Sequence, residues 1–222
     1  MARKKNMVRR NEILSSSFAL IKENGLDKVS LQMIADKAEI SKSLLQSYYP
    51  HKVELINDIL SKTMSTILVK LEDFGMSSTN AFAGMMVYIN TILELGVVDH
   101  GLYNVLDSIF GNPHSLDRWV DLIIEWMKNE DLQDAFGDEY EIRIGLTYVL
   151  AGGTSLYLKR DEFRLTAHEI STDIVTSFLS TFMRLSKKQI DITMRSANEL
   201  IKKTDINEVH KAIDEMFVVA AQ

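Results

Sequence analysis

Lys42, Ser43, Gln46 and Ser47 place an ammonium, two hydroxyls and a carboxamide at i, i+1, i+4 and i+5, across one face of a short helix. None of them forms a nucleophile–base pair. As a set they are hydrogen-bonding groups suited to the edges of nucleic-acid bases. A glutamine amide pairs bidentately with adenine, and a lysine ammonium reaches a guanine or a phosphate. Leu44 can meet a thymine methyl but cannot donate a hydrogen bond, and Gln32, on the preceding helix, is placed to reach an edge base.

The segment that must position these groups is SLQMIADKAEISKSLLQSYYPHK, residues 30–52. Leu31, Ile34, Ala35 and Ala38 fall at i, i+3, i+4 and i+7, the apolar stripe of a short amphipathic helix. Glu39 and Ile40 interrupt it. Ser41 then caps a second helix, in which Leu45 and Tyr49 point inward, and Pro50 ends it. Two short helices around a small core, the second with a polar outer face, make a helix-turn-helix that presents its second helix to the DNA major groove. Upstream, residues 10–29 give a helix with Ile13, Leu14, Phe18 and Ile21 inward, stopped at Gly25. Downstream, a long helix starts near His51.

The spacing of Ile13-Leu14, Leu20-Ile21, Gly25, Ser30, Ile34-Ala35, Ala38-Glu39-Ile40-Ser41, Leu45-Gln46, Tyr48-Tyr49 and Lys52-Val53-Glu54-Leu55 resembles the N-terminal pattern of the TetR family of transcriptional regulators. The resemblance covers roughly the first quarter of the chain. It implies an all-α fold: a three-helix DNA-binding domain over 1–52, joined by a long helix to a larger helical effector-binding and dimerisation domain over 53–222. It also maps Ser30, Tyr48 and Lys52 onto DNA-backbone contacts, although Tyr48 equally fits packing beneath the motif and Lys52 a solvated helix start. Four positions depart from the family pattern. Glu39 replaces a turn glycine, so a left-handed backbone there would cost about 1 kcal/mol. Ser43 replaces a glycine, Leu44 a threonine or alanine, and Gln46 a tyrosine, so no operator sequence carries over.

Charge supports this division. Residues 1–52 hold ten Lys/Arg and five Asp/Glu, a net +5, and residues 53–222 hold 15 and 26, a net −11. A basic head on an acidic body fits a DNA-binding module joined to something that avoids DNA, while Arg3, Lys4, Lys5, Arg9 and Arg10 suit either phosphate attraction or a solvated tail. There are no cysteines, which excludes disulfides, thiolate metal sites and cysteine nucleophiles. The five histidines are scattered without metal-ligand spacing, and no Gly-rich phosphate loop is present. Neither an enzyme nor a cofactor is expected. No signal peptide or stretch of about 20 apolar residues is apparent, which predicts a cytoplasmic protein without membrane contact.

The rest reads as helices: 51–74, one started by Ser78-Thr79-Asn80 and running to about Gly96, 101–110, 113–128, 139–160, 166–185, 187–203 and 206–219, with caps at Asn112-Pro113, Thr166/Glu169 and Asp205. The resemblance implies that 139–160 and 166–185 pair with their copies in a homodimer. Gly145, Gly152 and Gly153 suit close approach of a partner helix or a buried contact within one subunit. It also implies an effector pocket in the body. Tyr88, Tyr103, Phe110, Trp119, Trp126 and Tyr148 lie on the expected helices, as lining or simply as core, with Asn90, Asn104 and Asp107 as polar candidates. The implied function is a repressor that binds a palindromic operator as a dimer and is released by a small molecule when helix 51–74 tilts. The alternatives are a helix-turn-helix protein controlled by a protein partner or acting architecturally on DNA, and a module whose helix-turn-helix contacts protein only.

Overall fold

The computed structural model of the protein describes residues 7–76, 80–129 and 138–217, and every regular element among them is helical. Arg3, Lys4 and Lys5 of the basic tail lie outside the described residues. Helix α1 (Met7–Asn24) buries the expected Ile13, Leu14, Phe18 and Ile21, and Gly25 ends it at φ 74°, where a side chain would be strained. A 3-10 turn (Leu26–Lys28) leads into α2 (Leu31–Lys37) and α3 (Lys42–Tyr48). The connecting helix α4 (Lys52–Asp73) runs unbroken for 22 residues and buries Ile56, Leu60, Ile67 and Leu71 along one side.

The body is built around α5 (Ala81–Val98), started by Asn80, whose side chain accepts the Ala83 N–H. It is the one described helix long and apolar enough to cross a membrane, an exception to the sequence expectation. With 72% of it buried inside the bundle, it is the central core helix. Around it stand α6 (His100–Phe110), α7 (Pro113–Asn129), α8 (Glu139–Leu158), a single turn α9 (Arg160–Phe163) and α10 (Ala167–Ser177). Asn112 caps α7 from just before its proline, and Thr166 with Glu169 closes the capping box of α10. The helix expected over 166–185 is not uniform: after Ser177 it widens into a π turn at Phe178–Phe182 and stops at Arg184, φ 52°. The wider turn brings Phe178 and Phe182 together over Gly145.

Two further helices complete the chain, α11 (Lys187–Lys203) and α12 (Ile206–Glu215). Both turn back onto the same subunit: α11 packs on α5, and α12 packs on α4.

The glycines of α8 divide between two roles. A Cβ on Gly153 would lie 2.2 Å from Ile174 Cγ1, and one on Gly145 2.7 Å from Phe182 Cγ, so both admit α10 and its π turn within the subunit. Gly152 meets nothing within 4 Å. Gly153→Ala is therefore expected to destabilise by about 1–3 kcal/mol, since Ile174 is buried and cannot retreat. Gly152→Ala should raise subunit stability by up to about 1 kcal/mol through helix propensity alone. Urea denaturation of the two variants checks this, and equal effects would refute it.

Candidate nucleic-acid interface and effector cavity

The α2–α3 unit is fixed by its caps and its underside. The Ser30 side chain accepts the Met33 N–H at 3.1 Å, and Ser41 accepts the Leu44 N–H at 3.2 Å. Leu45 is fully buried, which contributes roughly 1.5–3 kcal/mol. Beneath it the Tyr49 hydroxyl donates to Asp58 Oδ2 at 2.6 Å and accepts from Arg10 Nε at 3.0 Å. Arg10 also pairs with Asp58, so one triad ties α1, the end of α3 and α4 together. Burial and the bond to Asp58 hold the Tyr49 hydroxyl protonated far above the ordinary tyrosine range.

On the opposite side Ser41, Lys42, Ser43, Leu44, Gln46 and Ser47 are all exposed on one continuous face. Lys42 and Gln46 make no hydrogen bond or ion pair within the described residues, so both are available to a ligand. Ser47 donates to the Leu44 carbonyl, and Ser41 and Ser43 share a hydrogen bond. Gln32 is exposed beside this face and donates to Asp36 at 2.7 Å. Ser30 stands at its edge as a cap. Tyr48 is half-buried against the core, the packing alternative noted for it. Lys52 is not a free helix start, because its ammonium donates to the Leu26 carbonyl at 3.2 Å.

Glu39 adopts the left-handed conformation that the missing glycine would have taken, at φ 51°. Glu39→Gly is expected to raise stability by about 0.5–1 kcal/mol, the relief of strain exceeding the extra entropy of an unfolded glycine. A lower thermal midpoint for that variant would overturn this.

The head meets the rest of the subunit through a charged cluster. Lys22 of α1 pairs with Asp99, at the α5–α6 junction, at 2.8 Å and with Asp214 of α12 at 2.7 Å. His210 Nε2 lies 2.7 Å from the same Asp99. Asp99 Oδ1 meanwhile caps α6, accepting from the Gly101 and Leu102 N–H groups. Burial alone would raise the Asp99 carboxyl, but hydrogen bonds from His210 and Lys22 outweigh it and hold it far below the ordinary carboxylate range. Asp99, His210 and Asp214 lie close enough to hold a metal ion, yet the Lys22 ammonium already sits between the carboxylates as their counter-charge. Nearby, Asn11 donates to the Phe217 carbonyl at 2.8 Å, and the Phe18 and Phe217 rings touch. Nothing in the local sequence marks these residues, because their partners are distant in the chain.

In the body, a wholly apolar cavity of about 20 Å³ lies among Leu60, Met64 and Ile67 of α4, Ile92 of α5, Leu106 of α6 and Trp119 of α7. Phe18 of α1 and Ile213 of α12 also reach it. Of the aromatic candidates, Phe110 and Trp119 line this space, and Tyr88 stands directly behind, accepting the Trp119 indole N–H at 3.1 Å. The others are not brought together. Tyr103 is half-buried under Arg160, and Trp126 packs beside Gly84. Tyr148 points outward and is 71% exposed. Asp107 is exposed in an outer groove with Asn24 and Asp27, and Asn104 donates to the Lys22 carbonyl at the end of α1. Helical spacing placed these side chains on the right helices but could not tell which way each helix faces.

Residues 13–59 match the sequence model of "Bacterial regulatory proteins, tetR family". The HTH-type transcriptional repressor KstR of Mycobacterium tuberculosis is 28% identical over 74 residues, 33% of this chain. That match spans only 34% of the repressor's length. A TetR transcriptional regulator from Rhodococcus sp. RHA1 shares the fold with a TM-score of 0.59 at 14% identity, covering 81% of this chain and 98% of its own. RolR, solved with the ligand resorcinol, has a TM-score of 0.50 at 15% identity, covering 85% and 92%. The matched residues are those that build α1 to α3 and start α4, and the all-helical body follows the same plan. Residues 13–59 therefore carry the helix-turn-helix of the tetR family of bacterial regulatory proteins, and the chain as a whole shares its fold with a TetR transcriptional regulator of known structure.

Proposed function

We propose that the protein is a repressor that binds a palindromic operator as a homodimer and releases it when a small apolar effector enters the body. The observation that carries this reading is the continuity of α4. One end of it holds the underside of the recognition helix through Asp58, and its middle lines the apolar cavity through Leu60, Met64 and Ile67. A cavity of about 20 Å³ has room for roughly one water, so an effector must enlarge it by moving side chains. Met64 adapts readily to such a change. Because Phe18 of α1 shares the lining, enlargement presses on the head directly as well as through a tilt of α4. The lining offers no charged group, so the effector is hydrophobic. The repressor activity of KstR and the resorcinol complex of RolR support the reading in outline.

The dimer rests on the outer face of α8. Ile144, Tyr148, Ala151, Gly152 and Ser155 are exposed there as one stripe, with the open face of Gly152 at its centre. Ile144→Asp is expected to give a folded monomer by sedimentation and to weaken operator binding by more than about 100-fold, since each head then binds alone. A variant that remains dimeric would remove this face from the proposal.

Effector release is tested with a duplex footprinted upstream of the chain's own gene. Lipophilic compounds that raise the thermal midpoint should lower operator affinity in anisotropy titrations at fixed salt. If stabilising compounds leave affinity unchanged, the effector mechanism fails and control by a protein partner takes its place.

A further inference from the structure

A second cleft, of about 290 Å³, opens where Asn90 and Glu94 of α5 meet His168 of α10 and the α11–α12 junction at Ile201, Thr204 and Ile206. It shares no lining residue with the apolar cavity. Its volume is near the lower end for small-molecule sites. Asn90 is only 4% exposed, and its Oδ1 lies 3.1 Å from His168 Nδ1 and 3.0 Å from Ser171 Oγ. The Ser171 hydroxyl has one proton and also lies 2.9 Å from the His168 carbonyl, so the carboxamide fits in either orientation. Either way, His168 and Ser171 hold one end of it. The other end has no partner among the described residues and is left to the cleft that Asn90 lines.

Glu94, one turn further along α5, adds a half-buried carboxylate to the same cleft. It makes no ion pair among the described residues, and no Lys or Arg lines the space. Burial pushes the Glu94 carboxyl above its ordinary range, and the nearby His168 offsets this only in part. A partly desolvated carboxylate without an ion-pair partner is unfavourable, and a cation that hydrogen-bonds to it relieves that cost.

We propose that this cleft binds a small organic cation, an ammonium whose N–H groups meet Glu94 and whose short apolar part lies on Ile201 and Ile206. A polar group beside the ammonium meets the free end of Asn90. The occupant bridges α5 and α10 to the start of α12, the helix that carries His210 and Asp214 to the head. The site therefore lies beside the segment that grips α1.

The test uses the full chain with n-butylammonium as the probe and butyrate, of similar shape and opposite charge, as its control. Butylammonium should produce a saturable shift of the His168 ring resonances and a higher thermal midpoint, and butyrate neither. Glu94→Gln, which keeps the shape, should weaken binding at least about tenfold. Glu162→Gln, exposed on α9, should leave it unchanged. No saturable shift, an equal response to butyrate, or full affinity in Glu94→Gln overturns the proposal. Should Glu94→Gln fail to fold, Ile206→Phe, which fills the apolar side of the cleft, must abolish the His168 shift, and a retained shift overturns it equally.

Discussion

Replacing Lys42 and Gln46 together with alanine is expected to abolish sequence-specific operator binding while leaving the fold intact. Both side chains are exposed and make no hydrogen bond among the described residues, so their removal breaks no internal contact. Alanine is the best helix former, and the buried Leu45 and Tyr49 that seat α3 are untouched. The stability change should therefore stay within about 0.5 kcal/mol. Binding has no such protection. A good bidentate base contact is worth about 1–3 kcal/mol, and a dimer makes each contact twice, so the combined loss should exceed roughly 100-fold. Residual binding should be weak, strongly salt-dependent and indifferent to sequence. Fluorescence anisotropy at fixed salt, with operator and scrambled duplexes, reads the outcome. Unchanged operator affinity would remove α3 as the reading helix.

Asp99→Ala should produce the largest loss of stability of any surface-accessible substitution considered, about 2–4 kcal/mol. One carboxylate performs two tasks. Its Oδ1 caps α6, and its Oδ2 anchors Lys22 and His210. Removing it takes away the cap and leaves two partly buried donors short of an acceptor, with only Asp214 remaining for Lys22. The pH dependence follows from the direction of the shift. The folded-state pKa of Asp99 is lowered, so its contribution is fully present above the unfolded carboxylate pKa of about 4. It is lost as pH falls below that value toward the folded pKa. The parent protein should therefore lose stability steeply below about pH 5, and the variant should show a shallower acid limb. Urea denaturation across pH measures both curves. Parallel acid limbs would mean that Asp99 does not carry this linkage.

The two predictions differ in what made them visible. Lys42 and Gln46 stand out in the sequence because a helix-turn-helix is specified locally. Ser41, Asn80, Asn112-Pro113 and Thr166 with Glu169 each act on backbone groups two to three residues away, and each cap is present in the structure. The strain at Glu39 was legible only through the resemblance, in which a glycine holds that turn position. Asp99 gave no such sign. It reads as an ordinary acidic residue after an apolar run, and its partners lie 111 residues away in His210 and, for the linked Lys22–Asp214 pair, 192 residues apart.

The aromatic residues mark the same boundary. Periodicity placed Tyr88, Trp119 and Tyr148 on helices, but packing sent the first two inward and left the third on an outer face. The glycines of α8 divided likewise, Gly145 and Gly153 against α10 and its π turn and Gly152 to the outside. Sequence alone determined most of the helices and their N-caps, the polar face of α3 and the tetR-type helix-turn-helix, because caps, periodic stripes and turn residues act over a few positions. Tertiary structure alone decided which side chains line the cavity, how α12 holds the head and where Glu94 is left without an ion-pair partner among the described residues. Those depend on the rotation and crossing of helices far apart in the chain, which no local pattern encodes.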